Sequence, residues 1–143
     1  MVNKEEKSQK IVLSIDPGKK KCGIAIVNNL LDFISGDVVD NKNIVEKIKI
    51  CLNRYNIENI IIGSGTNSAN IFDIVKKNFS EIRISKVVEK NTTLEARKRY
   101  FEYNPPKGVL KLIPVSFLIP PRPYDDFAAF VIAERFFKDN SRK

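Results

Sequence analysis

The chain contains no histidine. That absence excludes Ser-His-Asp triads, histidine general bases and histidine metal ligands. Cysteine is scarce. Cys22 and Cys51 are too few for a structural zinc site or a disulfide scaffold, and they read as small core hydrophobes in a reducing cytosol. Long apolar runs are missing as well. The longest covers residues 127–133, far short of the roughly 20 residues that span a membrane as a helix. Residues 1–10 are polar and mixed in charge, without the apolar core of a signal peptide. The expectation is a flexible N-terminal tail over residues 1–10, on a soluble, cytoplasmic protein with no membrane partner.

A length of 143 residues suits one domain, and a hydrophobic content of 43% can build a core without staples. Lysine and arginine outnumber aspartate and glutamate by 25 to 17. The excess concentrates in residues 86–122, where Lys86, Lys90, Arg97, Lys98, Arg99, Lys107, Lys111 and Arg122 stand against Glu89, Glu95 and Glu102. This stretch is the expected electrostatic footprint for a polyanion. The bland alternative is a solvated surface that keeps the protein soluble.

Residues 11–15 form a short β-rich run that ends at Asp16-Pro17-Gly18, a turn signal. Residues 23–27 follow as a second strand, so the pair predicts a hairpin with a basic tip of Lys19, Lys20 and Lys21. A third strand is expected over residues 31–39, closed by Asp37, Asp40 and the neighbouring asparagines, which can also cap a helix. Ile44, Ile48, Cys51, Leu52 and Tyr55 make an amphipathic stripe. Residues 59–63 read as a buried central strand. Residues 64–68 read as a loop, and Ile71, Ile74, Val75, Asn78 and Phe79 as a second helical face. A further strand is marked by Ile82, Ile84, Val87 and Val88, with an interruption at Lys86. Thr92-x-x-Glu95 is a capping box for a helix over residues 93–103. Residues 104–123 hold six of the seven prolines and cannot form a long helix; residues 124–138 read as the last helix. The order β-β-β-α-β-α-β-α-α predicts a single α/β domain over residues 11–139, with a mixed sheet and helices on both faces.

Acids stand at the ends of apolar elements: Asp16 after the first strand, Glu89 after the last, Asp125 and Asp126 at the start of the final helix. Ligand sites collect at strand ends in open α/β sheets. Without histidine, carboxylates are the available metal ligands, and their oxygens suit Mg²⁺ or Mn²⁺. Two such ions ~4 Å apart can activate water and stabilise the leaving oxygen in phosphodiester cleavage. Each acid has a plainer reading. Asp-Pro-Gly is a turn, Glu89 an exposed charge beside Lys90, Asp125 an N-cap and Asp126 a complement to the helix dipole.

Taken together, three motifs resemble the YqgF/RuvX family. Leu13-Ser14-Ile15-Asp16-Pro17-Gly18 with Lys20, Gly23, Ile24 and Ala25 is similar to its opening hairpin. Val88-Glu89-Lys90-Asn91-Thr92-Thr93-Leu94-Glu95-Ala96 is similar to its acidic motif, and Asp125-Asp126-Phe127-Ala128-Ala129 to its last motif. They occur in family order and spacing. Lys19 stands where the family usually has Thr, Val88 where it commonly has Asp, and residues 63–67 replace its Gly-Leu-Pro-Leu-Asn loop. The Pro-rich segment 104–123 is longer than the family norm. These departures mark a divergent branch.

The resemblance implies a ribonuclease H-like fold: a mixed five-stranded sheet, three antiparallel N-terminal strands followed by parallel ones. It implies a Mg²⁺- or Mn²⁺-dependent endonuclease of the kind that resolves Holliday junctions or matures the 5′ end of pre-16S ribosomal RNA. The implied partners are structured RNA, branched DNA and ribosomal precursor particles. Asp16, Glu89 and Asp125 match the family's metal ligands, with Asp126 as the alternative or a second ligand. Lys19, Lys20, Lys21, Lys90, Arg97 and Lys98 would contact phosphates, and at most two of Arg97, Lys98 and Arg99 face one substrate. Tyr100, Phe101, Tyr103, Phe117 and Tyr124 flank the basic segment as stacking or core residues. Two other functions are open: a non-catalytic nucleic-acid or ribosome-binding module on the same fold, and a nucleotide-binding protein of the actin and sugar-kinase type, which needs two lobes where this chain has room for one.

Overall fold

Strand β1 (Ile11–Asp16) alternates strictly. Leu13 and Ile15 enter the core on one side of the sheet, Val12 on the other, and the two-residue period puts Ser14 and Asp16 on the side of Val12. The structure is a computed structural model that describes residues 9–88 and 92–141. The expected tail over residues 1–10 therefore lies almost wholly outside the described residues. Strand β2 (Lys21–Asn28) returns antiparallel to β1 and brings Gly23 opposite Asp16. Strand β3 (Phe33–Asp40) is antiparallel to β2. Strands β4 (Ile57–Gly63) and β5 (Arg83–Val87) run parallel to β1, giving a five-stranded sheet of order β3-β2-β1-β4-β5. Because β1, β4 and β5 point the same way, their C-terminal ends line one edge of the sheet.

Helices α1 (Ile44–Arg54) and α2 (Ser68–Asn78) cover one face through Ile44, Ile48, Cys51, Ile71 and Val75. Helices α3 (Thr92–Tyr103) and α4 (Asp125–Ser141) cover the other. Helix α4 lies over all five strands while α3 packs on its outer side. Residues 126–134 are therefore all buried, which explains why that run is apolar almost all round. Alanines at 128, 129 and 133 let the backbones approach. At Gly23 a side chain would overlap the backbone carbonyl of Asp125, so glycine is required there by close approach.

Four sequence expectations change in the structure. Strand β3 begins at Phe33, because Asn28 Oδ1 accepts from the N–H groups of Leu30 and Asp32 and forms a turn, with Leu31 left-handed at φ 66°. Strand β5 runs through Lys86 uninterrupted, since the ammonium lies over the Phe72 ring at 4.4 Å and its stem stays at the surface. The asparagines after β3 do not cap α1: Asn43 sits at the cap position without a side-chain bond, and Asn41 is engaged elsewhere. Helix α4 continues past residue 138 to Ser141. The Pro-rich stretch holds two 3-10 turns, Gly108–Leu112 and Val115–Phe117, anchored by buried Leu118 and Pro120. No helix of the described residues is long and apolar enough to cross a membrane.

Candidate functional site

Asp16 is half-buried at the C-terminal end of β1. Its partner across the ladder is Gly23, and the Asp125 backbone packs onto that same glycine. Two acids from opposite ends of the chain thus neighbour the same glycine at one corner of the sheet, on the α3/α4 side. Both charges act on Cys22: its thiol is pushed up to about 11, first by burial and then by Asp16 and Asp125, against a backbone hydrogen bond from Gly18. Asp125 itself is raised above the usual carboxylate range by burial and by Asp126, with Lys21 opposing. The carbonyl of Tyr124 accepts from the N–H groups of Phe127 and Ala128. The helix therefore opens one residue before Asp125, which lies inside the first turn rather than capping it.

The adjacent Asp126 has a different environment. It is 4% exposed, and both of its carboxylate oxygens take Arg122, at 3.2 and 3.3 Å. The Arg122 guanidinium lies over the Tyr100 ring at 5.1 Å and the Phe127 ring at 5.7 Å. Asp126 is thus tied to the end of the Pro-rich segment, while Asp125 has no arginine beside it in an ion pair among the described residues.

Lys19, Lys20 and Lys21 are exposed on the β1–β2 tip, directly after Asp16. Lys98 is exposed on α3. Arg97 donates Nε to Tyr124 Oη at 3.3 Å, next to Asp125. Arg99 turns inward to Glu134, at 2.7 and 3.0 Å, and to Glu102 at 3.0 Å, so it is committed to packing. Of the aromatics, Tyr100 is buried, and Tyr103 makes ring contacts with Phe33, Phe127 and Phe130. Phe117 is 77% exposed. Glu89 and Lys90 lie outside the described residues, just past Val88.

Sequence reasoning missed Asn41, Asn67 and Glu134. Asn41 and Asn67 bond the carbonyls of the lysine tip, and Glu134 holds α4 to α3. The asparagines carried a signal, a polar cluster at the end of a strand, but it read as a helix cap.

The donor set at the corner is carboxylate oxygen without imidazole or thiolate, which suits a hard divalent cation. Among the described residues no three His, Cys, Asp or Glu side chains form a metal-holding group; the third expected member, Glu89, falls outside them.

No protein-family model matches the chain, and no curated protein matches it. Among solved structures it is similar to RuvC of T. thermophilus in complex with a Holliday junction substrate. The identity is 15%, over 94% of this chain and 97% of that one, with a TM-score of 0.57. A second structure, Thermus thermophilus RuvC, is 16% identical over 92% and 96% of the two chains, with a TM-score of 0.56. The fold is ribonuclease H-like, as the mixed five-stranded order anticipates.

Proposed function

We propose that the chain is a divalent-metal-dependent nuclease that hydrolyses phosphodiester bonds in structured nucleic acid, branched DNA or folded RNA. One observation carries the reading: Asp16 and Asp125 converge over Gly23, beside a tip of three exposed lysines, on a ribonuclease H-like sheet. Asp16 and Asp125, with Glu89 as the third donor, are the residues to hold Mg²⁺ or Mn²⁺. The bound ion would activate water and stabilise the leaving oxygen. Lys19, Lys20 and Lys21 grip phosphates next to the acids, and Lys98 extends the basic surface. Lys90 and Arg97 are secondary candidates for that contact. Asp126 serves to orient the helix start through Arg122, so Asp125 is the ligand of the two.

The test uses a four-way DNA junction and a folded RNA as substrates, with Mg²⁺ and with EDTA. Asp16→Asn is expected to lower cleavage by at least about a hundredfold while binding persists. Normal cutting by this variant refutes the site. Preference between the two substrates decides between junction resolution and RNA processing.

A second reading, a non-catalytic binding module, is favoured by Val88. It is 69% exposed and apolar at the place where the resembled family commonly carries an acid. Binding would then fall with salt and ignore EDTA, with no turnover.

A further inference from the structure

The tip between β1 and β2 is held from outside by two asparagines. Asn41, which follows β3, donates Nδ2 to the carbonyls of Gly18 and Lys19, both at 2.9 Å. Its backbone N–H donates to the Lys20 carbonyl at 2.8 Å. Its Oδ1 accepts from the Cys22 thiol at 3.0 Å. Asn67, just before α2, donates Nδ2 to the Gly18 carbonyl at 3.2 Å. Three consecutive carbonyls of the tip are therefore bound to one residue. The protonated thiol sets which end of the Asn41 amide is oxygen, so that the NH₂ group faces the carbonyls. None of the lysine ammoniums at 19, 20 or 21 is in an ion pair among the described residues.

This division of labour matters for binding a polyanion. A loose tip must be ordered when phosphates arrive, and that ordering subtracts from affinity. A tip whose carbonyls are already bonded, and whose ammoniums are not, is ordered in advance. We propose that Asn41, assisted by Asn67, is a positioning residue that pre-orders the lysine tip as the phosphate-gripping edge beside Asp16. The inference rests on the nuclease reading of that corner.

Salt dependence separates ordering from charge. A lysine that contacts phosphate releases a counterion, so Lys20→Ala is expected to reduce the slope of log affinity against log salt by about one. Asn41→Ala keeps every lysine. It is expected to bind a four-way DNA junction about tenfold more weakly in EDTA with the slope unchanged, because the same contacts form after an added ordering step. Trypsin is expected to nick Asn41→Ala within residues 19–21 faster than wild type, well below the unfolding temperature. Asn67→Gly is the milder variant, for use if Asn41→Ala does not fold. It removes one bond and keeps the left-handed backbone (φ 65°) that glycine adopts freely, and it is expected to show the same changes to a smaller degree.

Wild-type affinity in the asparagine variants, or a slope that falls as in Lys20→Ala, overturns the inference and leaves the nuclease reading standing. A wild-type protein that binds neither the junction nor a folded RNA in a salt-dependent way overturns both. Unchanged trypsin sensitivity in the variants refutes the clamp without reference to any substrate.

Discussion

Between the sheet and helices α1 and α2, Leu13, Ile15, Ile24, Ile60 and Ile62 meet Ile44, Ile48, Ile71 and Val75. The contact on that face is apolar and non-directional. On the opposite face, the apolar cluster around Phe127, Ala129 and Ile132 is interleaved with buried Ser14, Asn59, Asp126 and Glu134. There α4 is held by the hydrogen-bonded pairs Glu134–Arg99 and Asp126–Arg122 and by the Arg135–Glu95 ion pair at 3.5 Å. The candidate acids sit on this second face. Hydrophobic burial alone would let a helix slide or rotate by small amounts at little penalty. Charged bonds tie α4 to α3 and to the Pro-rich segment, while Gly23 admits the Asp125 backbone onto the sheet.

That contrast can be broken or sharpened by substitution. The largest stability loss is expected on the apolar face: Ile60→Ala should remove about 2–5 kcal/mol by chemical denaturation, and a loss well under that range would mean the core there is loosely packed. On the polar face the two partners of one ion pair should behave unequally. Arg99→Ala leaves the buried Glu134 carboxylate without its partner and should destabilise by about 3 kcal/mol. Glu134→Gln leaves Arg99 with Glu102 and water and should destabilise by only about 1 kcal/mol. Equal losses would count against the directional account of α4.

A smaller effect of opposite sign is expected at Asp125. The fold raises this carboxyl above its unfolded value, so its ionised form is penalised on folding. Stability is then retained below the unfolded value and lost as pH rises through the folded one. In EDTA, Asp125→Asn should therefore melt above wild type near neutral pH and match it at acid pH. Melting curves with the same pH slope in both proteins would refute this. The smallest change belongs to Ser14, whose buried Oγ has no hydrogen-bond partner among the described residues. Ser14→Ala should shift stability by no more than about 0.5 kcal/mol, and a larger loss would reveal a bond to an ordered water.

Much of the architecture was legible in the chain. The alternation in residues 11–15 and 23–27, the Asp16-Pro17-Gly18 turn, the apolar run at Ile60, Ile61 and Ile62 and the stripes at Ile44 and Ile71 each appear as the expected element. These signals are local, so adjacent residues suffice to set them. Less was legible where partners lie far apart. Lys86 looked like a strand break because its cover, Phe72, is on another element. Asp126 stayed an alternative to Asp125 because the packing of the Asp125 backbone on Gly23, a hundred residues earlier, cannot be read from neighbours in sequence. Asn41 looked like a cap because the carbonyls it binds lie more than twenty residues earlier.

By itself the sequence determined the kind of chemistry available: carboxylates without histidine, an excess of lysine and arginine, and strands and helices in a β-β-β-α-β-α-β-α-α order. Only the tertiary structure decided which acids share a corner. That depended on the antiparallel register that sets Asp16 against Gly23, and on a glycine small enough to admit the backbone of α4. Composition and period are properties of neighbours along the chain, whereas convergence depends on strand register and helix docking, which are fixed only when the two faces pack.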